Sequence, residues 1–136
     1  MIALISDQPL DVAAHEADVA HPAAGATVSF AGVVRDHDGG RSVVELEYVG
    51  HPTAQALVAE IAAEFAARPE VHAVAISHRV GLLAIGDVAL ACAVSASHRG
   101  QAFTACAELV DEVKARLPIW KRQVFADGAD EWVACP

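Results

Sequence analysis

The sequence has few aromatic residues, few cysteines and no long apolar run. Aromatic residues make up 5% of the 136 positions while hydrophobic residues make up 54%, so the core must consist mainly of aliphatic side chains. Cys92, Cys106 and Cys135 are an odd number without metal-ligand spacing, which argues against a disulfide framework. Because no stretch of about twenty residues lacks charges or turn residues, and the acidic start is too short for a signal peptide, we expect a cytoplasmic protein without a membrane span.

Positive charge is also scarce. Nine Lys and Arg face 18 Asp and Glu, giving a net charge of −9, which argues against general nucleic-acid binding because phosphate neutralisation needs a basic surface. The first 34 residues contain no Lys or Arg, whereas five of the nine basic residues lie within 99–122. A small basic region on an acidic protein favours a local anionic ligand.

Hydrophobic periodicity predicts an α+β fold with a mainly antiparallel sheet. Residues 26–35 and 42–50 alternate between apolar and polar side chains around the turn HDGG, which predicts an antiparallel hairpin. Two further strands are predicted at 71–81 and 87–97, and the second is apolar on both faces, as expected for a central strand.

Two main helices and a C-terminal hairpin complete the predicted fold. The helical pattern covers 53–68 and 100–117, and Pro118 ends the second helix. Asp127-Gly128 separates two apolar pairs in RQVFADGADEWVA, which predicts the hairpin. No linker or composition shift divides the chain, so we expect a single domain over residues 1–136.

Both lysines of the chain lie in VKARLPIWKRQ, residues 113–123, whereas the other seven basic residues are arginines. Lys114 falls within the apolar stripe of the second helix. Its stem could pack on the core while the ammonium reaches water, or it could project into a pocket. Lys121 follows Pro118, and the chain reversal could bring it near Lys114. Lysine can give up a proton where arginine cannot, which is a physical reason to find lysine at a reactive site.

A His-Arg pair opens the second helix. In ASHRGQ, Ser97, His98 and Arg99 lie where free N–H groups and the helix dipole favour an anion. The alternative is that Ser97 is simply the N-cap and the two other side chains are solvated. The similar pair in ISHRVG, residues 76–81, precedes no helix, so we expect it to be structural.

Arg35, at the end of the first predicted strand, is a third basic candidate. No HxxH or HExxH pattern and no carboxylate cluster has metal-ligand spacing, so we expect no metal. No glycine loop for phosphate and no nucleophile motif is present either. The residues by themselves therefore indicate a small enzyme or binding protein for an anionic ligand.

In order along the chain, the motifs are VSFAGVVRDHDGG, LEYVGHP, ISHRVGLLAIGD, SASHRGQAF, VKARLPIWKRQ and DGADEWV. From about Gly25 to Val133 the sequence resembles the catalytic (large) subunit of molybdopterin synthase. The resemblance implies an α/β hammerhead fold and the conversion of cyclic pyranopterin monophosphate to molybdopterin by insertion of two sulfurs. It also implies that sulfur arrives as a thiocarboxylate on the C-terminal Gly-Gly of a separate, small ubiquitin-like subunit. Two large subunits would form a homodimer with one small subunit at each end, a heterotetramer, and no cofactor is expected.

The resemblance also assigns site residues. The expected catalytic residues are Lys114 and Lys121, and the expected substrate-binding residues are Arg35, His98, Arg99, Lys114, Lys121, Arg122 and Gln123. One departure is that Gln123 stands where the family commonly has Glu. Two other interpretations remain open: a non-catalytic module that binds the same ligands, and an unrelated lysine enzyme that forms a Schiff base.

Overall fold

The computed structural model describes residues 1–134. It contains three helices and nine strands within that range, in the order β1 Ala3–Ser6, α1 Val12–Asp18, β2 Ala26–Val33, β3 His37–Asp38, β4 Arg41–Gly50, α2 Ala54–Ala66, β5 Val71–Arg79, β6 Gly81–Leu83, β7 Val88–Ala96, α3 Arg99–Arg116, β8 Ile119–Phe125 and β9 Asp130–Ala134. The predicted α+β class is confirmed.

The first sheet has four strands in the order β1-β5-β7-β2. Strand β1 runs parallel to β5, and the other two pairs are antiparallel. Every residue of β7 from Ala89 to Ala96 is buried, which confirms that this strand is central. Alternate side chains such as Ile76, Cys92 and Val94 join the main core, while Ala75 and Ala93 on the opposite face pack with Val19, next to α1.

The second sheet has five strands. Its order is β3-β4-β8-β9, with β6 paired to β4, and all pairs are antiparallel. Strands β8 and β9 form the predicted C-terminal hairpin. Its turn contains Gly128 at a φ of 87°, a backbone conformation that glycine adopts without steric cost.

The predicted hairpin between residues 26–35 and 42–50 is wrong. Strand β2 pairs with β7 in the first sheet, whereas β4 pairs with β8 in the second. The Gly39-Gly40 turn does reverse the chain, but it joins the two-residue strand β3 to β4. A bulge between Gly32 and Val33 marks the point where the chain leaves the first sheet. Residues 34–36 therefore cross from one sheet to the other.

The two main helices lie close to their predicted positions, which confirms the helical pattern. Helix α2 packs on β5 and β1, and α3 packs on β2 and β7, and the two helices also contact each other. Helix α3 ends at Arg116, two residues before Pro118, because a proline disfavours helical geometry in the residue preceding it. Within residues 1–134, no helix has both the length and the hydropathy needed to span a bilayer.

Candidate functional site

A cleft opens between the two sheets, beside the C-terminal half of α3. Its volume is about 460 Å³, and it is lined by Gly32, Val33, Arg35, Tyr48, His78, Ala89, Leu90, Val113, Lys114 and Lys121. We call it the lysine cleft. Both candidate catalytic lysines and the first arginine candidate thus line one cavity.

Three separate elements bring the cations of the lysine cleft together. Lys114 lies on the last turn of α3, Lys121 lies on β8, and Arg35 lies in the crossing that follows β2. The two lysines are seven positions apart in the sequence. They line the same cavity because Pro118 ends α3 and turns the chain back into β8. Neither lysine forms an ion pair with a carboxylate among the described residues, so both ammoniums can bind an external anion.

Asp38 and Gln123 hold the edge of this cleft. The Arg35 guanidinium lies 3.4 Å from the Asp38 carboxylate, and the Gln123 amide donates a hydrogen bond of 2.8 Å to the other oxygen of that carboxylate. This hydrogen bond, with the positive charges of Lys121 and Arg35, holds the pKa of Asp38 below its ordinary value against the opposing effect of desolvation.

Gln123 itself is buried at 3% exposure, and its amide also lies 3.5 Å from a Glu131 oxygen. An amide can donate to both neighbouring carboxylates, whereas a carboxylate in its place would repel them. In this chain, Gln123 thus supports Asp38 at the end of β3, and it does not line the lysine cleft.

His78 lines the lysine cleft although the sequence indicated a structural role for it. The side chain is 2% exposed, and its ring contacts Tyr48 edge-on, with ring centroids 4.9 Å apart. Its Nδ1 lies 2.8 Å from the carbonyl oxygen of Arg79, and because a carbonyl only accepts, Nδ1 must donate. Burial lowers the pKa of His78 to about 4, the Arg79 hydrogen bond opposes this, and the charge of Lys114 adds to it. The imidazole is therefore neutral at physiological pH.

A second cleft lies at the other end of α3. Its volume is about 710 Å³, and it is lined by Arg68, Pro69, Val71, His98, Arg99, Gly100, Gln101, Thr104 and Ala105. We call it the arginine cleft. The N-cap of α3 is His98, with no capping hydrogen bond from its side chain, so the expectation that Ser97 is the N-cap is wrong. His98 and Arg99 are exposed, as the same alternative expected. The Ser97 hydroxyl instead lies 2.8 Å from Nε2 of His72.

The predicted site residues therefore fall into two groups within one chain. Arg99 and Lys114 are 15 positions apart on α3, which at 1.5 Å per residue is about 22 Å along the helix axis. One small ligand cannot contact both. Arg122 lies in neither cleft, because it alternates with Lys121 on β8 and points to the opposite face, where its Nε donates to Asp130 over 2.9 Å.

The lysine cleft is suited to an anion. Arg35, Lys114 and Lys121 can only donate hydrogen bonds when charged, and together they favour phosphate or carboxylate groups. The two lysines can in addition transfer protons, which arginine cannot. Binding and proton transfer can thus occur in one cavity.

No residues suited to hold a metal were found in the described range. Within residues 1–134, no group of three or more His, Cys, Asp or Glu side chains has the arrangement of a metal site. Cys92 and Cys106 are buried free thiols whose pKa values are raised by desolvation, so neither is a ready nucleophile. Cys135 lies outside the described residues.

Sequence reasoning missed Tyr48, His78 and Asp38. Tyr48 and His78 lie in strands whose alternation indicates which side chains are buried, but not that the buried face of each strand borders a cavity. Asp38 ends the two-residue strand β3, in a polar stretch of sequence without a local signature. The one available signal was that 76–81 repeats the His-Arg pair of 98–99.

Comparison with known proteins identifies the family. A model described as MoaE protein matches residues 5–116. A molybdopterin synthase catalytic subunit from Aspergillus clavatus is 45% identical over 112 residues, which cover 82% of this chain and 57% of the relative. One from Nostoc sp. is 39% identical and covers 81% of this chain and 68% of the relative. The chain thus spans less than two thirds of the length of the first of these relatives.

Two solved structures share the fold. A crystal structure of molybdopterin synthase from Staphylococcus aureus has a TM-score of 0.87 at 31% identity and covers 96% of this chain and 95% of its own. A molybdopterin biosynthesis MoaE protein from Burkholderia ambifaria has a TM-score of 0.77 at 36% identity, with coverages of 99% and 90%. The resemblance indicated by the motifs is confirmed, and the chain belongs to the MoaE protein family.

Proposed function

We propose that this protein is the catalytic subunit of a molybdopterin synthase, a cytoplasmic sulfurtransferase of molybdenum cofactor biosynthesis. It would convert cyclic pyranopterin monophosphate to molybdopterin by transferring two sulfurs. The observation that carries the proposal is that Arg35, Lys114 and Lys121 reach one cleft from three different elements. These are three of the residues that the resemblance assigns to the site.

The sulfur donor in this proposal is a small ubiquitin-like subunit with a C-terminal Gly-Gly thiocarboxylate. A thiocarboxylate is an anion, and so is the substrate phosphate, so both suit a cleft with three cations. The tail of the small subunit would enter the lysine cleft, because an extended tail is narrow enough for a cavity of about 460 Å³. Its negative charge would be attracted by the three cations there. The small subunits would bind at the two ends of a homodimer of this chain.

Within the lysine cleft we assign the catalytic roles to Lys114 and Lys121. Their ammoniums orient the thiocarboxylate, polarise its carbonyl and transfer protons while sulfur attacks the pterin side chain. Arg35, held by Asp38, binds the anionic part of the substrate. His98 and Arg99 are proposed to bind the phosphate or pterin as well, but from the arginine cleft of the partner copy in the dimer, because the length of α3 separates them from Lys114 in one chain.

The test is molybdopterin formation from cyclic pyranopterin monophosphate and the thiocarboxylated small subunit. We expect product with the wild-type chain and a loss of about 100-fold or more with Lys121→Ala, in the range of a lost acid-base group. Lys121→Arg keeps the charge but cannot give up a proton, so we expect it to be nearly as inactive. Arg41→Ala, which removes a cation outside both clefts, is the control for general charge effects.

Three results would contradict the proposal in different ways. Full activity of Lys121→Arg would show that Lys121 contributes only its positive charge and does not transfer a proton. If the folded wild type binds the small subunit and the pterin but forms no product, the protein is a binding module. A borohydride-trapped adduct with a carbonyl substrate would instead favour a Schiff-base enzyme.

A further inference from the structure

The lysine cleft has more to recognise than an anion. Its three cations satisfy phosphate or carboxylate oxygens, but a pterin also carries N–H groups, which lose hydrogen bonds to water when they enter a cleft. Each such donor needs an acceptor. Among the side chains that line the lysine cleft, Tyr48 and His78 are the two that carry an acceptor atom.

The position of His78 leaves one ring nitrogen as an acceptor. Nδ1 donates to the carbonyl oxygen of Arg79 over 2.8 Å, so in the neutral imidazole Nε2 carries the lone pair. The ring is fixed by its edge-on contact with Tyr48 and by its burial at 2% exposure. A fixed acceptor recognises a ligand donor at little cost in conformational entropy.

We propose that His78 is a substrate-binding residue whose Nε2 accepts a hydrogen bond from an N–H group of the pterin, so that the lysine cleft selects a pterin phosphate over simple anions. This inference rests on the proposed function and extends it, because it concerns the uncharged part of the substrate. The cations bind the anionic groups, and His78 discriminates between molecules that carry them.

Burial, assisted by the charge of Lys114, keeps His78 in the accepting form. It is faced by Lys114 from α3, Lys121 from β8, Tyr48 from β4 and Arg35 from the crossing after β2. Burial and the charge of Lys114 lower its pKa to about 4, against the hydrogen bond to Arg79, so protonation does not remove the acceptor above about pH 5. Any change in ligand affinity between pH 5 and pH 9 must then come from groups other than His78.

Two substitutions separate the two nitrogens of His78. In His78→Asn the amide nitrogen can keep the hydrogen bond to Arg79, but nothing accepts at the position of Nε2. In His78→Gln the longer side chain can place its amide oxygen near the position of Nε2, while the bond to Arg79 is lost. A structural role for the histidine predicts that Asn is the better replacement, and a role in binding predicts that Gln is.

The experiment measures dissociation constants by calorimetry for cyclic pyranopterin monophosphate and for inorganic phosphate, using the full chain with its small subunit. We expect His78→Asn to weaken binding of the pterin phosphate about tenfold, as for one lost hydrogen bond, and to leave phosphate binding unchanged. His78→Gln should stay within about threefold of the wild type for both ligands. In turnover, His78→Asn should raise KM with little change in kcat.

The inference is overturned if His78→Asn binds the pterin phosphate like the wild type, if His78→Gln is the weaker variant, or if both ligands weaken equally. A wild type that does not bind the pterin phosphate overturns the proposed function itself. If a variant does not fold, the wild type still tests the inference by comparison with an alkyl phosphate, which has no N–H groups. The wild type should bind the pterin phosphate at least tenfold more tightly than the alkyl phosphate, and a smaller preference overturns the inference.

Discussion

His78 is a neutral imidazole in a cavity that also contains two ammoniums and a guanidinium. Its pKa is lowered to about 4 by burial and by the charge of Lys114, against the opposing hydrogen bond to Arg79, from an ordinary value of 6.5. In the unfolded chain the same side chain regains its ordinary pKa. Between pH 4 and pH 6.5 the unfolded state therefore binds more protons than the folded state, and acidification must favour unfolding.

This difference predicts how stability depends on pH. Neutral His78 contributes roughly 3 kcal/mol to the free energy of unfolding. This contribution is fully present above pH 6.5, decreases as the pH falls through this value and is lost below about pH 4. Urea unfolding of the wild type and of His78→Gln at pH 7.5 and pH 4.5 measures it. The variant should lose about 2 kcal/mol less than the wild type on acidification. Equal losses in the two proteins would show that His78 titrates normally in the folded state.

At the same scale, the sequence indicates candidate residues for a cleft better than it indicates their surroundings. Lys114 and Lys121 are conspicuous because the chain otherwise uses arginine, and both line the predicted kind of pocket. His78 was assigned a structural role because nothing in ISHRVG distinguishes a histidine that only packs from one that also borders a cavity. That distinction depends on α3 and β8, which are distant in sequence and close the cleft from the other side.

At the scale of elements, the sequence predicts which face of a strand is buried but not which strand lies beside it. The alternation of 26–35 and 42–50 is real in both strands, yet a chain crossing at residues 34–36 places them in different sheets. Where the partner is close in sequence and the turn is tight, as around Asp127-Gly128, the pairing is predicted correctly. Strand β1 and helix α1 were missed because each is too short to show a period.

The close approach of Gly25, just before β2, to Ser97, just after β7, gives a prediction about Gly25. A Cβ atom at Gly25 would lie 2.6 Å from the carbonyl oxygen of Ser97, which is a backbone atom and cannot move independently of the chain. Gly25→Ala should therefore lower the free energy of unfolding by about 1–3 kcal/mol, as overpacking does. It should also displace Ser97, which immediately precedes the His98-Arg99 pair, and so weaken anion binding in the arginine cleft.

Gly100→Ala is the matched control. A Cβ at Gly100 would have no atom within 4 Å, and alanine is the better helix former, so this variant should keep or gain up to about 1 kcal/mol. Urea unfolding of the two variants, followed by circular dichroism, compares them directly. If Gly25→Ala proved as stable as the wild type, the close approach of β2 to the end of β7 would be refuted.

At the scale of the whole molecule, the chain has a net charge of −9, yet both clefts are lined by basic residues. The acidic remainder repels extended polyanions, while the local cations attract small anionic groups. That the 136 residues form one domain stays a prediction. The two clefts are nevertheless connected by one rigid element, α3, whose length keeps Arg99 and Lys114 about 22 Å apart.

This separation predicts that one active site of the proposed homodimer takes Lys114 and Lys121 from one copy and Arg99 from the other. Lys121→Ala and Arg99→Ala homodimers should then both be inactive. When equal amounts are unfolded, mixed and refolded together, half of the dimers combine the two variants, and in each of these one site has lost both residues while the other is intact. The mixture should regain about one quarter of wild-type molybdopterin formation.

If each site is built within a single chain, mixing restores nothing, because every chain carries one of the two defects. Refolding each variant alone controls for the treatment itself, and an active Arg99→Ala homodimer would show that the arginine cleft does not belong to the site.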